Sequence, residues 1–522
     1  MGGPLSLRRP SPQGMVVAGA AAAAAVFVLP PLVQVAVRLV AADAASLGLL
    51  EHDRLWALLG RSVAIAGAVT LLASFAGIPL GLFFARARFP LKWPLFAVHL
   101  LPMLLPPFLP ALGWFHLLGR SGLLGSAATS AFLFSVWGLA FVLAAALTPI
   151  VTTLTMLGVR GLDPSLEEAG RLAARPLAVG LRLLVPAAWP AIALGAVLVF
   201  TLAFSEVGVP MLLRVVVYPS AVFARLGGLS FAPSEAAVLL LPLLPVAAGL
   251  FAAERWLIGT RPFEVMGLRR EPALPLFSGR GALLACASCV GAAVVSALPF
   301  AGLLRQAAGV QAGEVLAWAG SSPLNGLLAG ATAATIALVL ALPLGHGLAR
   351  GSRPARLADG VLAAGFFVPS AVLGVGLIAA WNRPWSVWLY GSMLILVAGF
   401  VTRYAVIAVR TVAAAVRQTA PSLEDAASVS GAGYVRRLLL VVAPVHVRGL
   451  AAAWLLVLAF SLRDLETAVM YYPPGGEPLT VRIFTLEANG PPKVVAALAL
   501  AHAGVTTLLL AGALLLARWR RP

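Results

Sequence analysis

Between positions 15 and 40 the chain runs with Arg38 as its only charged side chain. A helix that crosses a bilayer core takes about 20 mostly apolar residues, because backbone amides in hydrocarbon must find partners within the segment. Such stretches recur at 15–40, 58–85, 93–118, 130–154, 187–213, 234–258, 282–304, 324–349, 357–380, 388–409, 445–470 and 494–517. Twelve of them in 522 residues leave room for short loops and little else. Charged residues make up 11% of the chain, against about a quarter in a soluble domain. The expected fold is an all-α polytopic membrane protein of about 12 transmembrane helices. Proline-rich stretches such as 101–110 are places for a helix to break or kink.

Charge sets the orientation. With the amino terminus inside, 26 of the 37 lysines and arginines fall in the loops and helix ends of the inner side, Arg86, Arg350, Arg403 and Arg410 among them. Basic residues gather on the cytoplasmic side of membrane proteins, so both termini are expected in the cytoplasm, with the chain multi-pass in a bacterial inner membrane. The formal charge of +18 is scattered over short loops. It therefore points to a lipid bilayer as partner and to no nucleic acid. The first apolar run is longer than the 7–15 residues of a signal peptide core, so it is expected to stay as a span despite the small residues Ala41-Ala42-Asp43-Ala44 behind it. Cys286 and Cys289 form a lone pair one helical turn apart and read as packing residues.

The chain repeats itself. Pro164-Ser165-Leu166-Glu167-Glu168-Ala169 returns 257 positions later as Pro421-Ser422-Leu423-Glu424-Asp425-Ala426. Pro79-Leu80-Gly81 matches Pro343-Leu344-Gly345, Ala85-Arg86 matches Ala349-Arg350, and Leu202-Ala203-Phe204-Ser205 matches Leu458-Ala459-Phe460-Ser461. Two six-span units are expected, 1–268 and 269–522, joined near 267–280. An even number of spans makes them a parallel repeat, with a pathway between the halves.

The repeated hexapeptide lies in the longest inner loop of each unit, about 160–186 and 411–444. It has the pattern of a helix start, with Ser165 and Ser422 placed to cap and Glu168 and Asp425 to complete a capping box. Beyond it Gly431 and Gly433 interrupt the second copy, and a further helix is expected from Tyr434 towards Pro444. Asp425-Ala426-Ala427, Gly431, Val441 and Pro444 resemble the EAA loop of binding-protein-dependent ABC permeases. The first copy shares Glu168-Ala169-Gly170 and Pro186, with Ala174 where that pattern has glycine and one residue fewer before the proline. The arrangement of two six-span halves is similar to the fused ferric-iron permeases.

That resemblance implies a type I ABC importer permease fold. It implies that Glu168, Ala169, Gly170, Ala174, Asp425, Ala426, Ala427 and Gly431 dock against an ABC ATPase subunit, with two copies expected per chain. It also implies an extracytoplasmic solute-binding protein that delivers substrate. Ferric iron is the substrate expected first, with thiamine, phosphonate or another small solute behind it. A gradient-driven secondary transporter is the alternative of another class, because twelve spans in two parallel halves also describe that architecture.

No energy source is written into the chain itself. A phosphate-binding loop needs a lysine beside a glycine-rich turn, and neither Lys92 nor Lys493 has that setting. ATP hydrolysis is expected on a separate subunit, with no catalytic residue, cofactor or metal site here. His99, His116 and His346 lack clustered partners and read as packed or interfacial. Charges within spans are expensive and mark candidate pathways. Glu206 on the fifth span, and Arg463, Asp464 and Glu466 on the eleventh, follow the repeated Ala-Phe-Ser. Their carboxylates suit a hard cation such as ferric iron.

Overall fold

A computed structural model describes residues 12–226, 233–258 and 275–519. The termini and most of the expected join near 267–280 lie outside the described residues. α1 is Pro12–Val40 and α2 Asp53–Arg86. α3 is Lys92–Leu100, continued by a tighter turn to Leu104, and α4 is Phe108–Leu118. α5 is Val136–Arg160, α6 Pro164–Ala173, α7 Trp189–Ser205 and α8 Gly208–Leu212. α9 is Pro233–Leu240 and α10 Leu243–Ile258. α11 is Gly279–Gln306 and α12 Ser322–Ala349, and α13 is Arg353–Phe367 and α14 Ser370–Trp381. α15 is Leu394–Arg417, α16 Ser422–Val429, α17 Val447–Leu462 and α18 Ala468–Tyr471. α19 is Leu479–Asn489 and α20 Pro492–Trp519.

Among the described residues seven helices are long and apolar enough to cross a bilayer unbroken, and four further candidates are bent pairs. The bends come where proline removes a backbone donor or crowds the preceding turn. α3 meets α4 at 104° across Leu105-Pro106-Pro107, and α13 meets α14 at 109° across Val368-Pro369. Pro176–Ala187 meets α7 at 72°, and Tyr434–Val445 meets α17 at 84°. Both of these entry helices carry a π-helical turn, Gly180–Leu184 and Leu438–Val442. The expected span 234–258 divides at Leu241-Pro242 into α9 and α10. The expected spans 130–154 and 388–409 start about a turn and a half too early. Ser135 caps α5 behind a separate helix at Ala127–Leu133, and a turn at Gly391 precedes α15. Hydropathy does not register these breaks.

α2 and α5 end side by side, because Arg86 Nη2 donates to Val159 O at 2.9 Å and Arg160 Nη2 to Phe84 O at 3.1 Å. α12 and α15 end at the same face. The exposed tryptophans are Trp56, Trp93, Trp137, Trp189, Trp256, Trp385 and Trp388, a residue type enriched where a span meets the membrane surface.

α1 and α11 each pack on helices remote in the sequence. α1 lies against α12, α13 and α14, whereas α11 lies against α3 and α4. Small residues let the backbones touch. A Cβ on Gly113 would come within 2.2 Å of Pro299 O, and one on Gly376 within 2.5 Å of Pro31 O. Thr402 Oγ1 adds a hydrogen bond to Phe27 O at 2.9 Å, tying α15 to α1.

Candidate functional site: two anchored surface helices and a charged cavity

α6 and α16 lie at the face where α2, α5, α12 and α15 end. Neither helix starts as expected. Asp163 caps α6, its carboxylate accepting from Ser165 N–H at 3.0 Å, and Pro421 stands at the start of α16 with no side-chain cap. Ser165 and Ser422 fall inside the first turns. Asp163 is one residue ahead of the repeated hexapeptide, and the proline that follows it suits the first helical position.

Each helix is fastened by the residue before the expected acid. Glu167 is buried and accepts from Arg86 Nε at 2.7 Å and from Arg171 Nη2 at 2.5 Å. Glu424 accepts from Arg350 Nη2 at 2.6 Å and is bridged to His346 Nε2 at 2.7 Å, and His346 Nδ1 in turn meets Tyr434 Oη at 3.1 Å. Burial works against the Glu424 carboxylate, but hydrogen bonds from Arg350 and His346 outweigh it and hold its carboxyl below the ordinary value. The signal for this pairing was present in the sequence. Ala85-Arg86 and Ala349-Arg350 recur with the hexapeptide, so the cation and the acid repeat together.

With the inner acid occupied, the neighbouring residues face outwards. Glu168, Ala169, Ala174, Asp425, Ala426 and Gly431 are exposed, and Gly170 and Ala427 are half-buried. Leu172 is 93% exposed on α6 and Val429, its equivalent 257 positions on, is 90% exposed on α16. They are the most open large apolar side chains of α6 and α16. The helices end differently. Gly431 has φ +80° and closes α16 with its N–H on Ser428 O, the left-handed conformation that glycine adopts without strain. Ala174 instead leaves α6 in extended conformation at φ −150°, so no left-handed residue is needed there.

The second assembly lies where α7 and α17 stop and the chain unwinds before α8 and α18. Glu206, Arg463, Asp464 and Glu466 all line one cavity, together with Pro106, Pro107, Leu202, Tyr404, Phe460, Leu465 and Arg403. Sequence reasoning missed Arg403. It was counted with the basic residues of the inner side, yet it is 3% exposed and lies 14 residues before the end of α15, which is about 21 Å of helix. Arg410 is likewise drawn inwards, pairing with Glu254 of α10 and Asp359 of α13.

Arg403, not Arg463, holds the acids. Arg403 Nη2 donates to Glu466 Oε2 at 3.1 Å, and its Nη1 lies 3.8 Å from Asp464 Oδ2. Asp464 also accepts from Tyr404 Oη at 2.8 Å, from Thr467 N–H at 3.0 Å and from Thr467 Oγ1. Arg463 Nη1 donates to Met103 O at 2.7 Å, 360 positions away in the sequence. Glu206 Oε1 accepts from Val209 N–H at 3.1 Å. The expectation that these carboxylates suit a hard cation meets a chemical obstacle, because each already serves an arginine, a hydroxyl or a backbone amide. Among the described residues no group of three His, Cys, Asp or Glu is placed to hold a metal ion.

The histidines are packed. His99 is 2% exposed between Ser296 Oγ at 3.2 Å and Thr152 Oγ1 at 3.1 Å, and His116 stands edge-on to Phe115. Cys286 and Cys289 are free thiols, the second buried.

No family model matches the chain. It is 32% identical over 209 residues to the molybdenum transport system permease protein ModB of Mycobacterium bovis, and equally to that of Mycobacterium tuberculosis, a match covering 36% of this chain and 72% of each relative. It is 32% identical over 162 residues to the protein of the same name from Escherichia coli K12, covering 28% of this chain and 69% of the relative. Molybdenum, not the iron expected from the carboxylates, is the element in these names.

Proposed function

This chain belongs to the family of the molybdenum transport system permease proteins, and from that premise we infer that it is the membrane-spanning subunit of an ATP-driven importer for an oxyanion of the molybdate class. The observation that carries this reading is the pair of anchored helices. α6 and α16 present an equivalent acid, Glu168 and Asp425, beside an equivalent open apolar residue at one face of the molecule. A rigid helix standing proud of a membrane body can pass a push from a soluble partner into the spans behind it. Glu167 and Glu424 bind α6 and α16 to the ends of α2 and α12, so force applied to either helix is delivered there.

The relatives' match fills twice the share of their length that it fills of this chain, which makes them about half as long. That ratio supports two fused units at 1–268 and 269–522, as do the recurring bends, π-helical turns and crossed first helices. Two docking surfaces on one chain suit two ATPase copies, with hydrolysis on those subunits. An extracytoplasmic binding protein would deliver substrate at the opposite face, near 472–477, where Asn325 Nδ2 donates to Gly475 O at 3.0 Å. The α6 face is then cytoplasmic, in a bacterial inner membrane. Glu206, Arg463, Asp464 and Glu466 belong to the pathway, and the two arginines of the cavity give an anion a reason to enter it.

Co-purification from lipid nanodiscs tests the reading. Wild type should retain its ATPase subunit, whereas Glu168→Arg, Asp425→Arg and Leu172→Glu with Val429→Glu should lose it, and proteoliposomes carrying all partners should take up molybdate only with ATP. Uptake that follows an ion gradient without any ATPase would replace this reading with a secondary transporter.

A further inference from the structure

The two halves provide an internal control for the charged cavity. Counting 257 positions back, Arg403 and Tyr404 correspond to Ala146 and Leu147, and from the repeated Ala-Phe-Ser, Arg463, Asp464 and Glu466 correspond to Val207, Gly208 and Pro210. The same helices therefore pack in the first half with no charge at these places. Burying five ionisable side chains in a membrane protein is costly unless they do something, and the fold does not ask for them.

Arg403 is the informative member. Its Nε and Nη1 have no hydrogen-bond partner although the side chain is 3% exposed and lines the cavity. A guanidinium offers five donors in a fixed fork that matches oxyanions, and here two carboxylates at 3.1 and 3.8 Å occupy only part of it. Arg463 spends one donor on the carbonyl of Met103. The cavity measures about 20 Å³, room for a water-sized guest and far less than four oxygens around a metal need. Its walls come from both halves, Pro106, Pro107, Leu202 and Glu206 on one side and the arginines on the other. Moving the two sides apart would widen it and draw Arg463 off Met103.

We propose that Arg403 and Arg463 form a binding site for tetrahedral dianions such as molybdate, tungstate or sulfate inside the membrane, and that Glu466 and Asp464 occupy it in the closed state as built-in stand-ins for the passing anion. This rests on the reading of the chain as an oxyanion permease. The carboxylates keep the arginines neutralised while the path is shut. On opening, the anion exchanges for them.

The test is a gain of binding, which misfolding does not mimic. The full chain, co-purified with its ATPase subunit in nanodiscs, is titrated with radiolabelled molybdate and with tungstate as wild type, Glu466→Gln, Arg403→Gln and the double variant. Glu466→Gln should tighten binding on the order of tenfold, the weight of one close charge contact. Adding Arg403→Gln should erase that gain, and Arg403→Lys in its place should keep part of it. Unchanged or weaker binding in Glu466→Gln, or a double variant that binds as tightly as the single one, overturns the proposal. If the wild-type transporter with its partners imports molybdate while Glu466→Gln shows no gain, this site alone is wrong. If the wild type retains its ATPase but imports no molybdate or related oxyanion, the substrate reading and the site fall together.

Discussion

Replacing Glu167 with glutamine removes the carboxylate that Arg86 and Arg171 share. Arg86 is 6% exposed and Glu167 2%, so the pair is sealed from water. Breaking such a pair costs about 3–5 kcal/mol, because a buried charge is left uncompensated. Arg86 keeps its bond to Val159 O and Arg171 keeps Pro275 O, which places the effect near the lower end, about 3 kcal/mol. Local opening of α6 should then become about 100-fold more frequent, at roughly 1.4 kcal/mol per decade. The second anchor is wetter, with Arg350 18% and Glu424 17% exposed. Glu424→Gln should therefore loosen α16 by about 1 kcal/mol, less than tenfold, after allowance for solvent screening. Hydrogen exchange read by mass spectrometry on the chain in nanodiscs compares 164–173 with 422–429 directly. Comparable changes in both helices, or a matching rise throughout α2 and α5, would refute the idea of local anchors of unequal strength.

Gly113→Ala should lower the melting temperature markedly, by about 2–3 kcal/mol of overpacking, since its new methyl meets Pro299 O at 2.2 Å. Gly291→Ala on α11 meets nothing within 4 Å and should be neutral or stabilising by up to about 1 kcal/mol. Gly431→Ala forces an alanine to φ +80° and should weaken the turn after α16 by about 1–2 kcal/mol, whereas Ala174→Gly, at an extended position, should bring no gain in ordering when both are followed by limited proteolysis. The lowered carboxyl of Glu424 contributes stability that is full above its ordinary value of 4.5 and is lost as pH falls through the lower value in the folded chain. Proteolysis of the 411–444 loop should thus be flat from neutral pH to about pH 5 as far as Glu424 governs it, and should accelerate only below 4.5.

The long apolar helices were legible because lipid leaves the backbone no partner outside the segment, which forces a length that can be counted. Their bends were legible only in part. Leu105-Pro106-Pro107 marks its own break, but the 109° turn at Pro369 and the division at Pro242 look like single prolines that a kinked helix can absorb. The two surface loops stand out by repetition, but the acids that anchor them, Glu167 and Glu424, do not stand out from their neighbours Glu168 and Asp425. An amphipathic turn of ten residues carries little phase information, and only the partner arginines reveal that Glu167 and Glu424 face inwards. Arg403 was misplaced for a related reason. A cation near a span end is ordinarily a topology signal, and its acid partners lie about 60 positions away in the break between α17 and α18. The crossing of α1 and α11 to helices remote in the sequence left no trace, because apolar helices in lipid choose neighbours by small-residue fit that hydropathy does not encode.

That crossing has a consequence for how the chain is made. α1 leaves the ribosome roughly 340 residues before α13 and α14, its packing partners, are complete, which at about 5–20 residues per second is a wait of roughly 20 to 70 seconds. During that interval α9 is the partner within reach of α1, and α3 and α4 wait for α11. The packing of α1 is therefore finished only once 322–381 has been made, and a fault late in synthesis would leave this early helix without most of its partners.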